Sequence, residues 1–319
     1  MTKPQFLTDL DTFSAHGVHS DSRMWPETNC AIDAWVELLH SLGCEPLAAC
    51  AGIFRCGLDL DQWEFFKFST AEIQLLFGIE CHEYNLWRPL DRHIDDQLRA
   101  GNLLMFDADS FYLPDTAGVA YQLEHQKSSI IPTWIDRENE RLRYFHNRTF
   151  AELSGQDYRG VLRLENSTGL SPFGEILRFD HFRTPDADQL KELSKELFQA
   201  ALLRRAAGNP VEDFHRLVSA DLALLESGAE VNIAHYAFAT FRQLGAWAEM
   251  ASSYLSWLDE HHVAAAAELL ELSSDAKTAQ FKLSRIAAGR TANLDSLLSS
   301  MSAHWAAAFA MLHASAGHS

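Results

Sequence analysis

The chain has 319 residues, 47% hydrophobic and 22% charged, with a formal net charge of −18. That length allows two domains with a sizeable core, and the charge argues against nucleic acid or anionic membrane as the main partner. The start, Met1-Thr2-Lys3-Pro4-Gln5, has no apolar signal core. The uncharged stretch from Ser296 is broken by Ser299, Ser300, Ser302, His304 and His313, so no membrane span is expected. Five cysteines in a leaderless chain point to reduced thiols and a cytoplasmic protein.

In chain order, residues 1–24 read as a polar lead-in carrying His16 and His19. Ile32, Trp35, Val36, Leu39 and Leu42 then recur at helical spacing. Pro26 keeps Trp25 extended, Thr28 or Asn29 serves as N-cap, and Gly43 supplies the stop. Cys30 falls in the first turn, where unpaired amides favour a thiolate. It is a candidate nucleophile, and the neighbouring amides are candidate oxyanion donors. Cys44, Cys50 and Cys56 lack the close Cys-x-x-Cys pairing of zinc sites; Cys81-His82 could be recruited to one, but small residues packed between helices are the better reading and no metal is expected.

Residues 61–67 read as a short aromatic helix, and another helix begins at Ser69. A strand is expected over 79–87, a helix over 90–100, and a buried central strand over 103–109, closed by Asp107 and Asp109. Those two acids share a face. They suit an ammonium group or acceptor amine, a helix cap, or pairing with Arg88 or Arg92. Residues 128–135 and 141–145 form a hairpin signature, and 161–165 and 175–182 read as extended. At Thr184-Pro185 the character changes to Ala- and Leu-rich helices over 188–207, 211–227, 233–261 with a second part to 272, 275–288 and 294–314. The expected architecture is an α+β domain over residues 1–185 and an all-α helical bundle over 186–319, with Trp247, Trp257, Phe281 and Trp305 mostly buried.

A thiol nucleophile needs a base, and the base needs an orienting group. His125 opens the first hairpin strand, and Asn147 or His146 ends the second. The order helix-Cys30, strand-His125, strand-Asn147 therefore defines a candidate triad, with Asp136 as the less favoured third member. This order is similar to that of papain-like enzymes. The region 25–150 more narrowly resembles the N-terminal domain family of butirosin biosynthesis protein H. Asn29-Cys30, the Leu98-Arg99-Ala100-Gly101 unit, Asp109-Ser110-Phe111-Tyr112-Leu113-Pro114 and His125 carry that resemblance. The whole chain also resembles an uncharacterised bacterial family associated with amino acid:carrier-protein ligases, through residues 107–116 and Tyr144-Phe145-His146-Asn147.

The resemblance implies a papain-like cysteine-enzyme domain. Its activity would be transfer of an aminoacyl or acyl group from a carrier-protein thioester to an amine. Phosphopantetheine would enter only as part of that substrate, with no other cofactor. Asp107, Asp109, Tyr112 and Trp25 are the expected substrate-binding residues. A cysteine amidase or peptidase, with water as acceptor, is the alternative enzyme, and a non-catalytic carrier-protein-binding module is the alternative from another class. Carrier proteins are usually acidic, so docking needs a basic island. Lys277, Lys282 and Arg285 lie within one helical arc, with Arg290 beyond its end, and Arg204 and Arg205 form a smaller pair.

Overall fold

The computed structural model describes residues 3–164, 171–226, 232–290 and 292–316. Its elements in chain order begin with α1 (Cys30–Ser41), β1 (Leu58–Asp59), β2 (Gln62–Trp63), α2 (Thr70–Phe77), β3 (Glu80–Glu83) and α3 (Leu90–Arg99). There follow β4 (Leu103–Asp109), β5 (Lys127–Asp136), β6 (Arg141–His146), β7 (Thr149–Ser154), α4 (Gly155–Val161) and β8 (Gly174–Arg178). The remaining elements are α5 (Ala187–Arg204), α6 (Pro210–Glu226), α7 (Ile233–Ala237), α8 (Gln243–Leu258), α9 (Val263–Ala287) and α10 (Asp295–Ala316). Two compact units result. The first draws on the N-terminal segment up to Ser20, Asn29–Pro46 and Ser69–Ala187. The second takes Asp21–Thr28 and Leu47–Phe68 from the first half of the chain and adds the residues from Asp188 onward.

The first unit is mixed α/β, built on an antiparallel sheet in the order β3-β8-β4-β5-β6-β7. Strand side chains alternate between faces. Leu104, Phe106, Ile130, Leu142 and Tyr144 join Leu90 and Ile94 of α3 and Tyr158 and Val161 of α4 in one buried cluster. The other face of β5 and β6 receives α1. Burial of Tyr158, Val161 and Leu162 at helical spacing explains why residues 155–161 are helical where an extended segment from 161 was expected. Glu165 and Ser227, the far ends of two expected elements, lie outside the described residues. The expected strand over 79–87 is confined to β3. The expected helix over 61–67 is instead the strand β2 and irregular chain, because Leu58 pairs with Trp63 across a turn in which Leu60 has φ +56°.

The second unit is helical apart from the β1–β2 pair among its described residues. Its core is aromatic. Trp247 stacks on Trp305 at 4.8 Å, and Phe54 meets Phe198 at 4.7 Å. Trp247 Nε1 donates to the Ile53 carbonyl at 2.9 Å, and Ser194 Oγ to that of Ala48 at 2.9 Å. The Pro46–Arg55 segment of 3-10 helix is thus tied into this unit, which is why Cys50 and Cys56 are buried. Trp247 and Trp305 are buried as expected, while Phe281 is 64% exposed and Trp257 only half-buried. Phe281 stands on the outer face of α9, whose inward positions are Ala276, Ala279 and Leu283.

In α1, Ala31 through Leu39 are all buried, including Asp33 and Glu37. A helix enclosed this fully must find partners for its carboxylates. His19 supplies them: Nε2 lies 3.2 Å from Asp33 Oδ1, and Nδ1 meets Glu37 Oε1 in a short contact. The His16 amide also donates to Glu37 Oε1 at 3.0 Å. Burial alone would depress the imidazole, but the hydrogen bonds to Asp33 and Glu37 outweigh it and raise His19 from 6.5 to about 9. A group raised on folding stabilises fully below its unfolded value and loses that contribution as pH rises through its folded value. We therefore expect urea-measured stability to fall as pH rises from about 6.5 through about 9. His19→Ala should remove most of that slope and destabilise by about 3 kcal/mol or more, because it strands two buried acids. An unchanged slope in His19→Ala would refute this role.

Candidate functional site

Cys30 is the first residue of α1. Its N-cap is Asn29, whose Oδ1 accepts from the amides of Ala31 at 3.2 Å and Ile32 at 3.0 Å. Asp33 N–H donates to the Asn29 carbonyl at 2.9 Å. The neighbouring amides expected as oxyanion donors are therefore already engaged. The Cys30 amide, which has no partner among the described residues, remains as the donor of that turn.

The half-buried Cys30 thiol donates to Ser129 Oγ, 3.8 Å away, and Ser129 Oγ donates to Asp107 Oδ1 at 3.2 Å. Lys127 Nζ stands 3.3 Å from the same carboxylate oxygen. The pairing of β4 with β5 produces this arrangement: Asp107 faces Ser129 and Asp109 faces Lys127, all on the side of the sheet that receives α1. One position further along, His125 Nδ1 lies 2.6 Å from Asp109 Oδ2, and the ring stacks on Phe111 at 4.4 Å. The His125 side chain is 66% exposed. Asp109 also accepts the Phe111 amide at 3.0 Å, capping the short turn Ser110–Tyr112. Asp107 and Asp109 thus pair with Lys127 and His125, and the alternative partners Arg88 and Arg92 are not used.

The expected hydrogen bonds of the triad run to other partners. The thiol meets Ser129, and His125 meets Asp109. Asn147 sits in the two-residue turn between β6 and β7 with φ +46°, a left-handed conformation that asparagine tolerates. Asp136 caps its own turn through the amides of Glu138 and Asn139. Tyr112 is half-buried, with its ring packed so closely on Gly160 that a Cβ there would lie 2.3 Å from it.

Trp25 is a core residue of the second unit and is not placed to meet substrate from an exposed surface. It is 4% exposed, its Nε1 donates to Ser273 Oγ at 3.0 Å, and its ring lies against Gly245. The basic island is also dispersed. Lys277 covers the Trp25 ring at 3.9 Å, and burial, then the Arg242 charge, lowers its affinity for a proton. Lys282 Nζ donates to the Asn293 carbonyl at 2.9 Å. Arg285 and Arg290 are exposed.

Sequence reasoning missed a second constellation, on the opposite face of β5. His146 Nδ1 lies 2.5 Å from Asp115 Oδ2, and His146 Nε2 lies 2.6 Å from Ser128 Oγ. Asp115 also accepts from Tyr144 Oη at 2.5 Å and Thr149 Oγ1 at 3.3 Å. Burial would raise the Asp115 carboxyl, but the His146 and Tyr144 hydrogen bonds hold it below the usual carboxylate range. The signal was present in two motifs, Leu113-Pro114-Asp115 and Tyr144-Phe145-His146, but only the fold joins them.

Among the described residues, no cluster of three or more His, Cys, Asp or Glu is arranged to hold a metal ion, and no helix is long and apolar enough to cross a membrane.

These features define a two-unit protein: a mixed α/β sheet unit presenting a helix-borne cysteine, and a mainly helical unit. The chain belongs to the DUF1839 family, matching the DUF1839 N-terminal domain over residues 14–179 and the DUF1839 C-terminal domain over residues 187–314. A search of curated proteins finds no match.

Cysteine environments differ enough to be read chemically. Burial pushes the Cys44 thiol up to about 12, and burial with the Glu64 charge does the same to Cys56. Cys50 is buried, whereas Cys30 and Cys81 are partly exposed. Peptide-resolved iodoacetamide labelling of the folded protein should therefore modify Cys30 and Cys81 well before the other three. Equal rates at all five would contradict this arrangement.

Proposed function

We propose that the protein is a cysteine-dependent acyltransferase of papain-like type. In this reading it moves an aminoacyl or acyl group from a carrier-protein thioester to an amine. The observation that carries the proposal is the chain Cys30 Sγ, Ser129 Oγ, Asp107 Oδ1 at the start of a buried helix, on the sheet face that also bears the His125–Asp109 pair. The thiol proton passes through Ser129 toward Asp107 as sulfur attacks the thioester carbonyl, and the same proton returns from Asp107 to the departing phosphopantetheine thiol. The Cys30 amide faces the developing oxyanion. In the second half, His125, held by Asp109, takes a proton from the amine as it attacks the Cys30 thioester, and that proton passes to the departing Cys30 sulfur to regenerate the thiol. With an amide as substrate, an amine as leaving group and water as acceptor, the same residues give an amidase or peptidase. A hydroxyl rather than an imidazole at the Cys30 thiol favours a second reading, a carrier-protein-binding module without turnover.

The test uses an acetyl N-acetylcysteamine thioester. Peptide-resolved mass spectrometry should find an acetyl group on the Cys30 peptide, none on that peptide in Cys30→Ser, and formation there roughly tenfold or more slower in Asp107→Asn. Adding an amine should discharge it faster than water does, and His125→Gln should slow that second step alone. Failure to acylate Cys30 in protein whose Cys30 alkylates readily would reject the enzyme and leave the binding module.

For the carrier partner, the exposed Arg285 and Arg290 are the remaining cationic contacts on and just beyond α9. Replacing both with Glu should weaken binding to a phosphopantetheinylated carrier several-fold, mainly through a salt-dependent on-rate. Unchanged affinity would remove α9 from the docking surface.

A further inference from the structure

We propose that Ser128, His146 and Asp115 form a second, serine-based acyl site, on the sheet face opposite Cys30, that acts on ester or thioester substrates. Three observations support it. First, the connectivity is that of an activated hydroxyl. Asp115 Oδ2 lies against His146 Nδ1, and with the proton on that nitrogen the lone pair of Nε2 faces Ser128 Oγ, 2.6 Å away. Second, the orienting carboxylate is itself held. Tyr144 and Thr149 donate to Asp115, which fixes the short turn Pro114–Thr116 against the end of β6.

Third, the relay lies at the rim of the sheet. Residues 122–127 are exposed, and Ser128, 8% exposed, is the first buried residue after them. Thr116, Asn147, Arg148 and Thr149 nearby are half-buried, although the Asp115 side chain is 8% exposed and that of His146 1%. The adjacent residue, Ser129, turns to the α1 face and serves Cys30. The alternation of one strand thus places two hydroxyls in two different chemical settings.

The chemistry balances without a co-reactant beyond water. Ser128 Oγ bonds to the acyl carbon while its proton moves to His146 Nε2, and the departing alcohol or thiol takes that proton. Water then attacks the acyl-serine, gives a proton to Nε2, and the acid leaves as that proton returns to Ser128 Oγ. Asp115 touches only the imidazole and is a positioning residue.

The test treats folded wild-type protein with a fluorophosphonate and, in the same sample, iodoacetamide, and reads the Ser128, Ser154 and Cys30 peptides separately. Ser154 is exposed and serves as the reference hydroxyl. The proposal expects Ser128 to be modified at least roughly a hundredfold faster than Ser154. Modification of Ser128 should collapse in His146→Gln and fall in Asp115→Asn, in proteins whose circular dichroism matches wild type. Asp115→Glu, which keeps a carboxylate at the imidazole, should recover part of the rate lost in Asp115→Asn. No adduct at Ser128, or a rate equal to that at Ser154, overturns the proposal whatever the variants do. The Cys30 peptide is scored independently, so failure here leaves the thiol reading intact, and failure of Cys30 to react leaves this one.

Discussion

Burying a helix on all sides is the constraint from which the sheet unit follows. Most surface helices present one apolar stripe to a core. Here α1 is enclosed from Ala31 to Leu39, and two of its enclosed side chains are carboxylates one turn apart. The histidine that bridges them comes from the lead-in, so residues 16–19 are fixed across the helix. Such buried ionic groups add little net stability compared with an apolar core of equal volume, but removing one partner strands the others. Their effect is to specify the rotation of α1 about its axis. That rotation brings Cys30 to Ser129.

The second organising element is β5. Its central position, between β4 and β6, lets each of its side chains meet residues from two neighbouring strands. Ser129 reaches Asp107 of β4, while Ser128 reaches His146 of β6. A shift of one residue in register would exchange the two faces and dissolve both relays. The pairs Phe106 with Ile130 and Ile131 with Phe145 set that register through apolar burial on both sides. The irregularity between Pro132 and Trp134 falls beyond the functional end of the strand.

The helical unit reaches back into the first half of the chain. Glu249 accepts the consecutive amides of Met24 and Trp25, and the Arg242 guanidinium donates to the carbonyls of Glu27 and Thr28. Trp25 fits against Gly245 because a glycine there leaves room for the indole. A tryptophan-proline segment immediately ahead of a cysteine invites a substrate-binding interpretation. Burial and hydrogen bonding instead make Trp25 a packing residue.

Local periodicity by itself determined α1, its N-cap region and the position of Cys30 in the first turn, because capping and helical spacing are short-range effects. It also determined β4, the β5–β6 hairpin and the change to helices after residue 185, with Ser129 unremarkable within its strand and His146 weighed only as a neighbour of His125. Only the tertiary structure decided which side chains meet. Asp115 and His146 are 31 residues apart, and Cys30 and Ser129 are 99 apart. Their encounters depend on strand register and helix rotation, which are set by the burial of dozens of other side chains and leave no mark at the residues themselves. For the same reason Asn147 matched the composition of a triad but serves a turn, since a left-handed backbone position is settled by hairpin geometry.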